Sequence, residues 1–192
     1  MAQPTGNFWL RFGPILASLR LRLEAVSWTP TGGVPEAAFQ AVDVFDLADL
    51  EKALRELLVV RDRAALIIHR GNQYMSEVNG TSLTVGVARE FSILVTDRDI
   101  GDRTASLLGS DFTPGAELLA DLVAEQLVGT LPVLRADAAT AARGRGWVEI
   151  MESTPFTIDD KVRDILVGRT AVVVRIVVHC GDALADLGKG HI

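Results

Sequence analysis

Three residues of the chain have side chains suited to catalysis or metal binding, namely His69, His179 and Cys180. Each histidine ends an apolar run that predicts a β-strand, so the two could meet in a sheet and hold a metal ion together with Cys180. His179 and Cys180 are neighbours, however, and neighbouring residues of a strand point to opposite faces. Half-buried, hydrogen-bonded histidines and an inert buried thiol are the simpler interpretation. The sequence therefore predicts no catalytic residue, no metal and no cofactor.

The aspartate pairs and the glycine-lysine segment of the tail also predict no metal or phosphate site. Asp159-Asp160 and the pair Asp182/Asp186 match no calcium-loop spacing and are typical of solvated turns. The tail segment 188–190 lacks the preceding glycines of a phosphate-binding loop. We therefore expect the chain not to be an enzyme, with a small cytosolic enzyme or metal-binding protein as the alternative.

The composition favours a folded, acidic domain. Of 192 residues, 48% are hydrophobic and 23% are charged, and the formal net charge is -6. Such an apolar content can offset the entropy of ordering the chain, and a single cysteine excludes an intramolecular disulfide. No apolar run reaches the ~18 residues of a membrane helix, and the first residues lack a signal-peptide pattern. The surplus of acids argues against a surface that grips nucleic acid.

Three helices are predicted from apolar residues at helical spacing. The first starts at Pro14, with Arg20 and Arg22 on other faces, and its apolar stripe is Ile15, Leu16, Leu19, Leu23 and Val26. The second follows Asp46 as N-cap, and its stripe is Leu47, Leu50, Leu54, Leu57 and Leu58. The third is capped by Thr113 and opens at Pro114, with Glu117 in its first turn, and its stripe is Leu118, Leu119, Leu122, Val123 and Leu127.

The predicted strands are short. They cover residues 39–45, 64–69, 89–96, 147–153 and 170–179. The continuous apolar run 64–69 predicts a strand covered on both faces, whereas 89–96 alternates, with Phe91, Ile93 and Val95 on one side. The dipeptide Asn79-Gly80 predicts a type I′ hairpin that projects from the body. Segments 29–36, 97–112 and 135–146 are predicted as connectors and loops.

This order of elements lacks the regular alternation of strand and helix that a doubly wound fold needs. We predict an α+β protein with a mixed, mostly antiparallel sheet, helices packed on it, a projecting β-hairpin and an N-terminal arm. The arm covers residues 1–13, a single domain covers 14–182, and a C-terminal tail covers 183–192.

Two clusters are candidates for contacts with other molecules. Phe8, Trp9 and Phe12 precede the first helix without a core of their own, so they either fold back or dock on a neighbouring subunit. Arg143 and Arg145 lie in a loop of small residues, where they either solubilise the loop or contact an acidic partner surface or a DNA backbone.

Arg175 interrupts the apolar run AVVV–IVV of the last predicted strand. A buried charge without a partner is costly. Its side chain is therefore expected to face water, a carboxylate or a subunit boundary.

The succession of segments resembles the tail-completion proteins of Mu-like prophages and, more broadly, the phage tail-terminator fold. The segments that carry the resemblance are AALIIHRG, REFSILVTDRD, PGAELLADLVAEQLVGTL, GWVEIMESTPF and GRTAVVVRIVVHCG. With the short leading helix that precedes them, the resemblance covers about residues 12–182. Segment 29–58 and the hairpin at Asn79-Gly80 depart from the family pattern or are insertions.

The resemblance implies a structural protein of the virion tail or neck, assembled in the cytoplasm of a host bacterium. Tail terminators form rings, usually of six subunits, that cap the tail tube, end its polymerisation and join the tail to the neck. The implied partners are further copies of the chain, the tail tube protein and a neck or head–tail connector protein, with the tail sheath as a further option and no membrane. DNA passes through the channel without specific binding.

Within the same machine, a connector protein or a tube protein is the alternative. Candidate interface elements are the N-terminal arm, the hairpin at Asn79 and Gly80, and the loops 98–112 and 135–146.

Overall fold

The computed structural model describes residues 12–45, 63–79, 82–98, 103–130, 145–156 and 169–184 of the chain. Its helices are α1 (Phe12–Glu24), α2 (Arg103–Leu108) and α3 (Gly115–Leu127). Its strands are β1 (Ser27–Trp28), β2 (Glu36–Ala37), β3 (Ala41–Phe45), β4 (Ala64–Asn79), β5 (Ser82–Arg98), β6 (Arg145–Phe156) and β7 (Arg169–Leu184). None of these helices is long and apolar enough to cross a membrane.

The strands form two sheets. β1 and β2 pair as a small antiparallel ribbon, and the other five follow the order β3-β4-β5-β7-β6. β3 and β4 run parallel, whereas β4–β5, β5–β7 and β7–β6 are antiparallel. The predicted α+β class with a mixed, mostly antiparallel sheet is confirmed.

Both faces of the central strands are buried. One face packs against α1 and α3 in the main core, through residues such as Leu19, Leu119, Phe91 and Ile176. The other face carries a second buried cluster, which consists of Ala64, Leu66, Ile68, Leu94 and Ala171. The start of β4 is therefore covered on both sides, as its continuous apolar run predicted.

Helix α1 confirms most of the first predicted stripe, but it begins at Phe12 rather than Pro14 and ends at Glu24, before Val26. Ile15, Leu19 and Leu23 are buried and Leu16 is partly buried. Arg22 was expected on another face, but it is buried and its Nε lies 3.4 Å from Ser18 Oγ. Positions 15, 18 and 22 follow helical spacing, so they share one side of the helix. Burial lowers the pKa of the Arg22 guanidinium.

Helix α3 confirms the third predicted helix, but its stripe is narrower and its cap is different. Leu119, Val123 and Leu127 are buried, whereas Leu118 is 44% exposed. The small residues Ala116 and Ala120 complete the buried side. Thr113 does not cap the helix. The N-cap is Pro114, which forms no side-chain cap hydrogen bond.

The hairpin is confirmed, and its strands are longer than predicted. Antiparallel pairing of β4 and β5 runs from Ala64 opposite Thr96 to Asn79 opposite Ser82, with a bulge between His69 and Gly71. Gly80 and Thr81, which lie outside the described residues, separate the strands, one residue later than Asn79-Gly80 predicted. β7 continues this pairing to Leu184, which lies opposite Leu83. We call residues 70–79, 82–90 and 179–184 the tongue.

Several other predictions differ from the structure or are not covered by it. Helix α2 lies inside the predicted loop 97–112, because six residues are too short to show a helical period. The predicted strand 39–45 begins at Ala41, and the last two predicted strands are extended at both ends. The predicted C-terminal tail 183–192 is wrong at its start, because Ala183 and Leu184 belong to β7. Its remainder, Phe8, Trp9, the predicted second helix and Arg143 lie outside the described residues.

Candidate functional site

The two strand histidines do not come together. His69 lies on β4 opposite Phe91, and His179 lies on β7 opposite Ala88, with β5 between them. His69 Nε2 is 3.1 Å from Asn72 Oδ1. His179 Nε2 is 2.7 Å from Glu149 Oε2. Both rings are half-buried, as the simpler interpretation held, although both lie within strands rather than at strand ends.

No group of three His, Cys, Asp or Glu residues that could hold a metal occurs among the residues described. Cys180 belongs to β7, and the position of its side chain is not described. The metal site considered from the sequence is therefore not assembled by the two histidines.

Arg175 faces both carboxylates and water, which confirms two of its three predicted environments. Its Nη1 donates to Glu152 Oε1 at 2.9 Å, and its Nη2 is 4.0 Å from Glu90 Oε2. Glu90 Oε1 also accepts a hydrogen bond from Gln73 Nε2 at 3.2 Å. We call these four residues the polar ladder; it spans β4, β5, β7 and β6. A subunit boundary at Arg175 stays a prediction.

Reversing the charge of Arg175 tests how much the polar ladder contributes to the free energy of unfolding. Arg175→Glu would place a third carboxylate between Glu90 and Glu152. The side chain is 45% exposed, and exposed ion pairs contribute little, so we expect unfolding free energy to fall by about 1 kcal/mol in low-salt urea titrations. Salt near 1 M should remove most of this loss, because it screens exposed charges.

The matched control is Arg20→Glu, since Arg20 forms an exposed ion pair with Glu24 at 2.8 Å. Both variants change the net charge equally. A loss in subunit association that only Arg175→Glu shows would place Arg175 at a subunit boundary. Equal association in both variants would limit its role to the intrachain ladder.

A cleft of about 360 Å³ lies between the segment after β1 and the start of α3. Its walls include Trp28, Leu108, Pro114 and Leu118, together with hydroxyl-bearing residues such as Ser110. None of the residues that line it is charged. The cleft can therefore take an apolar group of a partner without desolvating a charge.

Trp28 is held in place by two polar neighbours. Its Nε1 and the Nη1 of Arg63 both donate to Glu36 Oε1, each at 2.8 Å. The Arg63 guanidinium carbon also lies 5.4 Å from the Trp28 ring centroid, within cation–π range. The pKa of the Glu36 carboxyl lies below its usual value, mainly because of the hydrogen bond that Arg63 donates to it. These contacts fix one wall of the cleft.

The loop 109–114, which we call the corner loop, is clamped at both ends. Gly109 and Gly115 have φ values of +87° and +73°, and their backbones touch so closely that neither site has room for a Cβ. Ser110 Oγ accepts hydrogen bonds from Phe112 N and Thr113 N, each at 3.3 Å. Asp97 Oδ2, from the end of β5, accepts from Gly115 N at 2.8 Å.

The corner loop leaves the side chain of Phe112 exposed to solvent. Phe112 is 85% exposed, and Leu108, four residues earlier in the chain, is 64% exposed. With Leu118, these residues form the corner patch at the cleft. Exposed apolar clusters of this kind mark surfaces that bind other proteins.

The sequence identified only part of this site. The sequence marks loop 98–112 as an interface candidate but does not distinguish Phe112 within it. The feature of the sequence that could have indicated this loop is the pair Gly109 and Gly115, on either side of the turn-forming Ser110. Of the other candidates, Phe12 begins α1, Asn79 ends β4 and Arg145 begins β6, where it lies opposite Gly181. Gly80 and Arg143 lie outside the described residues.

Likeness to known proteins is confined to solved structures. No protein-family model matches the chain, and no curated protein matches it. Among solved structures, the chain is similar to one in "Virion of native gene transfer agent (GTA) particle". That likeness has 14% sequence identity and a TM-score of 0.36, and it covers 61% of this chain and 69% of the other.

Proposed function

We propose that this chain is a structural, non-catalytic protein of a phage-type virion. In this proposal it forms a hexameric ring that caps the tail tube, ends tube polymerisation and joins the tail to the neck. Its partners are further copies of itself, the tube protein and a neck or connector protein. The observation that carries the proposal is the tongue.

The tongue extends the sheet well beyond the helices that cover its core. From Gly71 to Asn79 the chain advances by about 30 Å, at roughly 3.4 Å per residue. On its β4 segment Arg70, Asn72, Gln73 and Tyr74 are exposed, Tyr74 to 76%, whereas Val87, Ala88 and Arg89 on its β5 segment are buried. A narrow ribbon of strands is only marginally stable by itself and needs a packing partner. A neighbouring subunit of a ring supplies such a partner.

The outer edge of β4 supports the same proposal. β3 pairs with β4 only as far as Ile68. Within the described ranges, no other strand covers that side of β4 from His69 to Asn79. Open strand edges favour pairing with another chain. A contact between subunits along this edge would satisfy the backbone groups.

The charge distribution agrees with a passive channel for DNA. The formal net charge is -6, and the polar ladder contains two carboxylates but one guanidinium. Specific or strong DNA binding needs clustered Lys and Arg side chains. A ring of such subunits would let DNA pass without holding it.

The test is the position of the protein in an assembled particle. Particles that carry an epitope tag on this chain would be labelled with gold and imaged in negative stain. We expect label at one level, where the tail meets the neck. Label along the whole tube would favour a tube protein, and label at the head vertex, on the head side of the neck, would favour a connector. Particles without label would contradict a structural role in the virion.

A second variant tests the tongue itself. Residues 75–86 would be replaced by an Asn-Gly turn that joins Tyr74 to Val87, which lie opposite each other in the sheet. We expect a folded protein by circular dichroism that no longer limits tube length, so that tubes become overlong. Tubes of normal length would contradict the part assigned to the tongue.

The enzyme or metal-binding alternative has less support from the geometry. His69 and His179 contact different side chains on opposite sides of β5.

A further inference from the structure

We propose that, in the free protein, the outer edge of β4 in the tongue is covered by the same edge of a second copy. The two strands pair antiparallel about a two-fold axis that passes between the two Tyr74 residues. In the proposed ring the same edge contacts a neighbouring subunit, so the dimer and the ring exclude each other. This exclusion rests on the proposed function, whereas the dimer itself does not.

The tongue part of β4 is the longest open strand edge in the described part of the chain. β3 covers β4 only as far as Ile68, and β4 continues to Asn79. On this side, the backbone groups of β4 meet no other strand among the described residues. The stretch 69–79 contains no proline, and its one irregularity is the bulge after His69. A long, regular edge of this kind pairs readily with another chain.

The other edges of the sheet are short or blocked, which makes β4 of another copy the best match. On β6 the N–H of Val148 donates to the Thr130 carbonyl at 3.0 Å, and Pro155 has no N–H to donate. β3 has only five residues, and β7 extends beyond β6 only over 182–184. Once two β4 edges have paired, no comparable edge is left among the described strands. Association therefore closes at two copies.

The charged residues of this edge select one register. Residues that face each other in an antiparallel pair lie on the same side of the sheet, so the axis must pass through a residue position. With the axis at Tyr74, Glu77 of each copy lies opposite Gly71 of the other, next to Arg70 at the bulge. Arg70 and Glu77 are the only charged residues of 69–79. This register brings opposite charges level twice, which stabilises a strand pair.

The axis also pairs two aromatic residues. Tyr74 is 76% exposed, and the two-fold axis places both rings at facing positions on one side of the combined sheet. Aromatic pairs at facing positions are favourable cross-strand contacts. Over 71–77 the two strands form about seven backbone hydrogen bonds, at one bond per residue pair on average. This number lies within the range of specific interfaces, which carry about 10 ± 5 direct hydrogen bonds.

The net charge works against the dimer but not at the edge itself. A formal charge of -6 on each copy opposes the approach of any two copies, so we expect association only at micromolar concentrations. At physiological ionic strength, exposed charges more than about 8 Å apart are largely screened. The stretch 69–79 carries one positive and one negative charge, so the paired edges add no repulsion of their own.

Charge exchange tests the pairing by sedimentation velocity of the full chain, from low to high micromolar concentration in physiological salt. Arg70→Glu and Glu77→Arg should each weaken dimerisation about tenfold, because each variant places like charges at both facing positions. An equimolar mixture of the two variants should dimerise about as well as the wild type, since every facing position then joins a Glu to an Arg.

The mixture contains its own control for net charge. Arg70→Glu lowers the charge by two and Glu77→Arg raises it by two, so a mixed pair has the same total charge as a wild-type pair. A wild-type chain that stays monomeric throughout would overturn the proposal. A mixture that dimerises no better than the two variants do separately would also overturn it.

Cross-linking locates the two-fold axis. In a Cys180→Ser background, Tyr74→Cys protein oxidised alone should form disulfide dimers. Facing Cα atoms of an antiparallel pair lie about 4.5–5.5 Å apart, which is within the range of a disulfide. The matched control is Phe112→Cys, which replaces an exposed aromatic residue outside the tongue. Dimers that form as readily from the Phe112→Cys protein would contradict an axis at Tyr74.

The same disulfide separates the dimer from the ring. Tubes assembled with oxidised Tyr74→Cys dimers should be overlong, and reduction should restore normal tube length. Oxidised dimers that still limit tube length would contradict the exclusion between dimer and ring. Reduced protein that dimerises reversibly but never limits tube length would contradict the proposed ring instead and leave the dimer in place.

Discussion

Gly115→Ala is expected to lower the free energy of unfolding by about 3 kcal/mol or more. Gly115 has a φ of +73°, where a residue with a Cβ is less stable by about 1–2 kcal/mol. An alanine Cβ would also lie against Gly109 N and 2.6 Å from the Leu108 carbonyl carbon. These are backbone atoms, so no side chain can rotate away to make room. Urea unfolding followed by circular dichroism measures the loss.

Two other glycines separate the conformational effect from the clash. Gly129 has a φ of +67° but open space at its Cβ position, so Gly129→Ala should cost only about 1–2 kcal/mol. Gly13 lies in α1 with open space and no positive φ, so Gly13→Ala should be neutral or stabilise by up to about 1 kcal/mol. If Gly115→Ala costs no more than Gly129→Ala, the close packing of the corner loop is contradicted.

The parts of the fold that the sequence predicts are those with a repeating burial pattern. The alternation of Phe91, Ile93 and Val95 reports directly which side of β5 packs against the helices. The spacing of Leu119, Val123 and Leu127 does the same for α3. Each pattern lies within one element, so it is visible without knowing what the element packs against.

The parts that the sequence did not predict depend on partners elsewhere in the chain. Thr113 has a side chain typical of an N-cap. The N–H of Gly115, however, donates to Asp97, which lies at the end of strand β5. Leu118 follows the predicted stripe, but the alanines of α3 bring a narrower side of the helix to the sheet. In each case a tertiary contact replaces the outcome that local sequence favours.

The exposed position of Phe112 is also set by a contact between residues that are apart in the chain, so the sequence does not predict it. Aromatic residues are mostly buried, so an exposed phenylalanine cannot be identified from its type. Phe112 is exposed because Gly109 and Gly115 pack their backbones together and turn the loop outward. Sequence shows the two glycines, but not that they touch.

Asp97→Ala is expected to lower the free energy of unfolding by about 3 kcal/mol. Asp97 is only 1% exposed, and its carboxylate accepts the N–H of Gly115 at 2.8 Å. This N–H is one of the donors that a helix leaves without an internal partner at its N-terminus. Alanine would leave the buried donor of α3 without this acceptor, at roughly 1–3 kcal/mol. It would also remove a negative charge that the helix dipole favours, worth up to about 2 kcal/mol in a partly buried position.

Asp97→Asn separates these two contributions, because an amide oxygen can still accept the hydrogen bond but carries no charge. We expect it to cost about half as much as Asp97→Ala in the same urea titrations. The matched control is Asp111→Ala, which removes an exposed carboxylate from the corner loop itself. Its hydrogen bond from Thr31 is long, at 3.5 Å, so the change should stay within about 0.5 kcal/mol. If Asp97→Ala were no more destabilising than Asp111→Ala, the carboxylate would not hold the start of α3.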